Sequence, residues 1–119
     1  MNVVVLGASN KSSRYSCMAI ERLVQSGHKV FPVHKILKEV FGIKVYSCLS
    51  EIDEPIDTLT IYVNQEMSKS LEKDILQLKP KRIIFNPETE NSDLANKAKA
   101  AGIEVVFACT LVLLSMNKF

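Results

Sequence analysis

The sequence predicts an α/β fold of the Rossmann-like kind, a three-layer α/β/α arrangement with a five-stranded, mainly parallel sheet. Three observations carry it. Short Val/Ile/Phe-rich runs alternate with amphipathic segments along all 119 residues. Most of those runs are apolar at successive positions, as strands covered on both faces should be. The first of them, Val3-Val4-Val5-Leu6, passes straight into Gly7-Ala8-Ser9-Asn10-Lys11-Ser12-Ser13-Arg14, a small-residue turn and a hydroxyl-rich helix start.

Strands are expected at 2–7, 29–33, 57–63, 82–86 and 104–107. A first helix, 13–26, has Cys17, Ile20 and Val24 on one face and Gly27 as its C′ residue. Ile36 to Phe41 reads as a short helix closed by Gly42. Met67, Leu71, Ile75 and Leu78 describe one further helix, which Pro80 prevents from continuing. Leu94, Ala98 and Ala101 mark the next, capped by Asn91 or Ser92 and ended by Gly102. The tail after Thr110 is expected against the sheet edge or a partner chain. Such repeated alternation calls for right-handed crossovers with helices on both faces, and places ligands at the carboxyl ends of the strands.

At this length the chain is expected to be a single domain, residues 1–119, with a core that needs no disulfide or metal staple. A net charge of +2 is small for a nucleic-acid binder, so no nucleic acid is expected as partner. Three cysteines, Cys17, Cys48 and Cys109, without a CxxC pair indicate neither a disulfide framework nor a zinc site. With no signal-peptide pattern at the N-terminus and only Leu111 to Leu114 as a late apolar stretch, a cytoplasmic protein with no membrane partner is the expectation.

The turn after the first strand suits an anion. Gly7 permits a sharp turn and close backbone approach, and the N–H groups of the helix start point outward with the helix dipole behind them. Ser9, Lys11, Ser12, Ser13 and Arg14 add hydroxyl and cationic donors. Ser9 and Ser12 stand where a GxGxxG fingerprint has glycines, so the same residues also fit a plain strand-to-helix turn. The second strand discriminates further. NAD sites place an acid at its end, whereas Lys29-Val30-Phe31-Pro32-Val33-His34-Lys35 has none. Pro32 and Val33 offer a flat apolar wall, and His34, Lys35 and Lys38 suit an extra ribose phosphate, which NADP and coenzyme A (CoA) both carry. A solvated helix face explains either lysine alone equally well.

Taken together, Gly7-Ala8-Ser9 with Ser13-Arg14-Tyr15-Ser16, Phe31-Pro32-Val33, Gly42-Ile43-Lys44-Val45-Tyr46, Ile61-Tyr62-Val63-Asn64, Ile84-Phe85-Asn86-Pro87, Thr89-Glu90-Asn91 and Ala108-Cys109-Thr110 resemble the small stand-alone CoA-binding domain proteins. These are similar to the CoA-binding domain of succinyl-CoA synthetase α subunits and acyl-CoA synthetases. The resemblance covers nearly the whole chain in order. It implies CoA held across the first and second strand ends. Gly7, Ser9, Lys11, Ser13 and Arg14 would hold the pyrophosphate and 3′-phosphate region. Pro32, Val33 and His34 would line the adenine side, and Val63 with Asn64 would border the pantetheine path. Ala8, Tyr15, Lys35, Asn86 and Pro87 complete the expected set. Two departures stand out: His34-Lys35 where the family commonly has Asn-Pro, and Glu88 where a glycine often follows Asn-Pro.

No catalytic residue and no metal ligand is assigned. His28 lies at a strand entrance and His34 has no carboxylate near it in sequence. Cys109 could meet a CoA thiol, although a buried cysteine usually serves as a small hydrophobe. The expected function is therefore a CoA or acyl-CoA binding protein without catalytic machinery of its own, a carrier, sensor or regulatory module. The alternatives are an NADP-dependent oxidoreductase and a CoA-transferring enzyme working with a partner chain. The stretch Leu111-Val112-Leu113-Leu114 is compatible with a homodimer contact, and the synthetase likeness suggests an acyl-CoA enzyme as the other candidate partner.

Overall fold

In the computed structural model, which describes residues 1–119, the five long apolar runs form one parallel sheet. Its strands are β1 (Asn2–Leu6), β2 (Lys29–Val33), β5 (Thr58–Ile61), β6 (Arg82–Phe85) and β7 (Glu104–Phe107), in the order β2-β1-β5-β6-β7. β2 and β7 have the expected limits, while β1, β5 and β6 stop one or two residues short of theirs, where the backbone turns toward the next helix. The helices are α1 (Tyr15–Gln25), α2 (Gln65–Ser70), α3 (Glu72–Leu78), α4 (Ser92–Ala100) and α5 (Thr110–Ser115).

Strand alternation sorts the core into two layers. Val3, Val5 and Val30 point to the face covered by Ile20 and Leu23 of α1, with Leu114 of α5 packed beside them. Val4, Leu6, Phe31, Leu59, Ile61, Ile83 and Phe85 point to the other face, under Ile75 of α3 and Leu94, Ala95 and Ala98 of α4. This double winding makes β1 a central strand, flanked by β2 and β5. The chain steps from β1 to β2 on one side and then returns across β1 to β5 on the other. The crevice at this reversal, beyond the carboxyl end of β1, is where such sheets take ligands.

Four local expectations are corrected. The segment 36–41 is no helix: β3 (Glu39–Val40) and β4 (Ile43–Lys44) form an antiparallel hairpin with Val40 opposite Ile43. Phe41 (φ 52°) and Gly42 (φ 75°) both occupy the left-handed region, the signature of a tight two-residue hairpin turn that Gly42 makes accessible. The helix expected through Met67 and Leu78 breaks at Leu71 (φ −102°, ψ 6°). Ser68 and Ser70 hydroxyls there donate to the Gln65 and Met67 carbonyls, competing with the regular ladder. In α1, Ala19 and Leu23 take the buried stripe while Val24 is 43% exposed. Finally, the tail packs over a sheet face rather than at the sheet edge: α5 lies against α1, and Phe119 joins the same layer.

Candidate functional site

The turn that follows β1 is fixed by backbone contacts before any side chain matters. Gly7 and Ala8 both donate their N–H groups to the Val33 carbonyl, at 3.2 and 3.0 Å, tying the turn to the end of β2. Gly7 has φ +92°, and a Cβ there would stand 2.9 Å from Val63 Cγ1 and 3.2 Å from the Tyr62 carbonyl carbon. Only glycine lets β5 approach this closely. Ser9 Oγ then accepts the Lys11 N–H at 3.1 Å, and the Lys11 carbonyl accepts the Arg14 N–H at 2.9 Å, leading the chain into α1.

The start of α1 is uncapped. Arg14 occupies the N-cap position with no side-chain cap bond, and the first turn holds no acid. The N–H groups of Tyr15, Ser16 and Cys17 therefore lack the acceptor that a Ser or Asp cap would supply. Lys11 and Arg14 are exposed beside them. Amide donors, the positive end of a helix dipole and two cations line one cleft, which is the chemistry of an anion site.

This cleft is open and has a volume of about 710 Å³. Its wall near β1 and α1 comprises Gly7, Ala8, Ser9, Asn10, Lys11, Arg14, Tyr15 and Ser16, and His34 and Leu37 close it on the β2 side. On the β5 and β6 side stand Tyr62, Asn64, Pro87, Glu88 and Thr89. The histidine is rigidly held: its Nδ1 accepts the N–H groups of Ile36 and Leu37, each at 3.0 Å. With that nitrogen accepting twice, a ring proton resides on Nε2, leaving a donor for the cleft. Asn and Asp side chains stabilise turns by accepting from downstream amides in the same way.

Six expected site residues lie outside the lining. Pro32 and Val33 are buried in β2, with Val33 packed beneath the sheet face covered by α3 and α4. Val63 faces that same layer and abuts Gly7, so its contribution is to the shape of the turn. Ser13 and Lys35 point to solvent. Asn86 is 2% exposed and serves the scaffold. Its amide nitrogen donates to Thr60 Oγ1 (2.7 Å) and the Ile61 carbonyl (2.9 Å), and its oxygen accepts the Thr110 N–H (2.9 Å).

Six lining residues were absent from the sequence-based set: Asn10, Ser16, Leu37, Tyr62, Glu88 and Thr89. Tyr62 carried a readable signal, since Thr58, Thr60 and Tyr62 alternate with Leu59, Ile61 and Val63 and must face the opposite side of the sheet. Its ring packs with the α1 layer, and its hydroxyl is buried without a hydrogen-bond partner. The neighbouring Thr60 and Thr110 hydroxyls are bonded to each other at 2.8 Å. Burial above all pushes the Tyr62 phenol up to about 12. Glu88 sits at the cleft rim with φ 76° and donates its N–H to a Glu90 carboxylate oxygen at 3.1 Å.

No cluster of three or more His, Cys, Asp or Glu side chains suited to a metal ion is present, and no helix is long and apolar enough to cross a membrane. Thr89 donates its hydroxyl to the Asn86 carbonyl, and Asn91 caps α4 through the Leu94 N–H, so both have structural tasks.

Comparison with known proteins places this architecture among relatives. A crystal structure of an uncharacterised protein superposes with a TM-score of 0.89, at 40% identity, covering 99% of this chain and 97% of the other. The uncharacterised protein YneT of Bacillus subtilis (strain 168) is 29% identical over 75 residues, 63% of this chain and 56% of YneT, so the match spans about half the length of that curated relative. The dinucleotide-forming acetyl-coenzyme A synthetase 1 of Ca. Korarchaeum cryptofilum, solved with phosphate and ADP, shares the fold. Its TM-score is 0.77 at 21% identity, over 90% of this chain and 25% of the synthetase. The family model described as CoA binding domain matches residues 1–115, and the chain belongs to that family.

Proposed function

We propose that the cleft binds CoA or an acyl-CoA, and that the protein works as a CoA-binding module, a carrier, sensor or regulatory partner with no catalytic machinery of its own. The observation that carries this reading is the uncapped start of α1 beneath the Gly7 turn, with Lys11 and Arg14 beside it. A phosphate oxygen supplies the acceptors those amides lack, and the two cations neutralise its charge. The residues thus fit the phosphate-rich half of CoA. Lys11, Arg14 and the amides of Tyr15 and Ser16 would hold the phosphates. Leu37 and the Nε2–H of His34 would meet the adenine side, and Tyr62, Asn64 and Pro87 would border the pantetheine arm. CoA itself supplies a thiol for acyl transfer; this chain's groups bind and orient it. Lys35 and Lys38 lie outside the cleft lining, so the extra phosphate that CoA and NADP share would rest on Lys11, Arg14 and the α1 amides.

Isothermal titration with CoA, dephospho-CoA, NAD and NADP tests the reading. CoA is expected to bind, and dephospho-CoA to bind more weakly. Binding of none of the four by folded protein overturns it, and a preference for NADP replaces it.

A further inference from the structure

The cleft is electrically lopsided. Its cations, Lys11 and Arg14, and the orphan amides of α1 gather over the carboxyl end of β1, with His34 toward β2. The far end, at β6, holds no base among its lining residues and one acid, Glu88. Three strand steps separate β2 from β6 in the sheet, roughly 14 Å at about 4.8 Å per step.

Two details sharpen that end. Glu88 is an exposed, non-glycine residue held in the left-handed region at the cleft rim. Its amide N–H, which could otherwise receive an anion, is already occupied by the Glu90 carboxylate at 3.1 Å. The loop after β6 therefore presents the Glu88 carboxylate at the rim while the Glu88 and Thr89 amides are already engaged.

We infer that this end of the cleft selects the acyl cargo by charge. It accepts CoA thioesters whose acyl group is neutral or cationic and disfavours those whose acyl group ends in a carboxylate, with Glu88 as the specificity-determining residue. The inference rests on the CoA reading above. With phosphates anchored at Lys11 and Arg14 and the adenine toward β2, the pantetheine arm runs toward β5 and β6. A terminal acyl carboxylate there approaches Glu88, with no base among the lining residues at that end to offset it.

The test pairs two four-carbon thioesters, butyryl-CoA and succinyl-CoA, by titration at low ionic strength. Butyryl-CoA is expected to bind about fivefold tighter, the factor one like-charge contact in water is worth, and the ratio should shrink as salt rises. In Glu88→Gln, which keeps the side chain's size, and in Glu88→Gly, the ratio should collapse toward one. Circular dichroism and thermal melts confirm that these surface variants fold. Equal affinities in the wild type overturn the inference while leaving the CoA reading intact. A ratio that persists in both variants assigns the discrimination to shape and overturns it too. If CoA and both thioesters fail to bind, the CoA reading itself falls.

Discussion

The Asn86 side-chain oxygen accepts the Thr110 backbone N–H at 2.9 Å, which ties the first residue of α5 to the end of β6. The same amide nitrogen grips Thr60 Oγ1 and the Ile61 carbonyl, so one side chain joins β5, β6 and α5 beneath the cleft. Removing it strands a buried donor and buried acceptors. Asn86→Ala is expected to cost about 2–4 kcal/mol of stability, the penalty for several unpaired buried groups. Urea denaturation checks this, and a loss under about 1 kcal/mol would show that water takes the amide's place.

Lys11 and Arg14 are exposed and make no side-chain bond within the chain, so their removal should not disturb folding. Lys11→Ala with Arg14→Ala is expected to weaken CoA binding roughly 30-fold or more, given the strength of charge-assisted bonds to phosphate. Titration at two salt concentrations should also show a flatter salt dependence in the double variant. Unchanged affinity would reduce the β1 turn to a plain connection.

At Gly7, strain and collision coincide. Gly7→Ala puts a methyl group 2.9 Å from Val63 Cγ1 at a φ of +92°. The expected loss is about 2–4 kcal/mol, combining left-handed strain with overpacking. Trimming the neighbour in Gly7→Ala/Val63→Ala should relieve the collision but leave the strain, so the double variant's loss should fall below the sum of the single losses. Strict additivity in thermal melts would mean that the contact does not exist.

Tyr62 offers the reverse case. Its hydroxyl is buried and unpaired, so Tyr62→Phe removes a desolvated group without breaking a bond. Stability should stay level or rise by up to about 1 kcal/mol. In the wild type, phenolate absorbance from this residue should appear only near pH 12, provided the protein remains folded. A clear destabilisation in Tyr62→Phe would reveal a hydrogen bond to Thr60 or Thr110.

His28 packs T-shaped with the Phe119 ring, centroids 5.2 Å apart, and its Nδ1 accepts from the Met1 amino group at 3.3 Å. Burial first, then the positive amino group and Arg82, hold its pKa below the ordinary 6.5. A base with a depressed folded pKa takes up its proton more readily when unfolded. Stability is therefore indifferent to His28 at alkaline pH and declines as pH falls below 6.5 toward the folded value. Melting temperatures between pH 8 and pH 5 should fall less in His28→Gln than in the wild type. Parallel slopes would assign the decline to other groups.

The sheet was legible because buried parallel strands leave a strong mark: Val3–Leu6, Ile83–Phe85 and their companions are apolar at successive positions, and Gly27 and Gly102 close the helices between them. Local competition was less legible. Nothing in the apolar spacing of Met67, Leu71, Ile75 and Leu78 announces that serine hydroxyls interrupt the helix at Leu71. Gly42 signals a turn equally well after a helix or inside a hairpin, and only the pairing of Val40 with Ile43 decides. For the cleft lining, residues next in sequence to β1 were readable, as with Gly7, Ala8, Ser9, Lys11, Arg14 and Tyr15. Which of two neighbours faces the cleft was harder: Val63 was expected there, but strand alternation turns Tyr62 toward it and Val63 toward the core.

The break at Leu71 leaves α2 as a six-residue segment with a single buried side chain, Ser68. Its moorings are the Asn64 side chain on the Met67 N–H at 2.9 Å and the Asn91 amide on Ser68 Oγ at 2.9 Å. So little apolar anchorage makes local opening inexpensive compared with unfolding of the sheet. The amides of residues 67–70 should then exchange with deuterium long before those of β1 or β5. Because Asn64 also lines the cleft, a ligand that engages it steadies this segment, and occupancy of the cleft becomes visible as slowed exchange along α2.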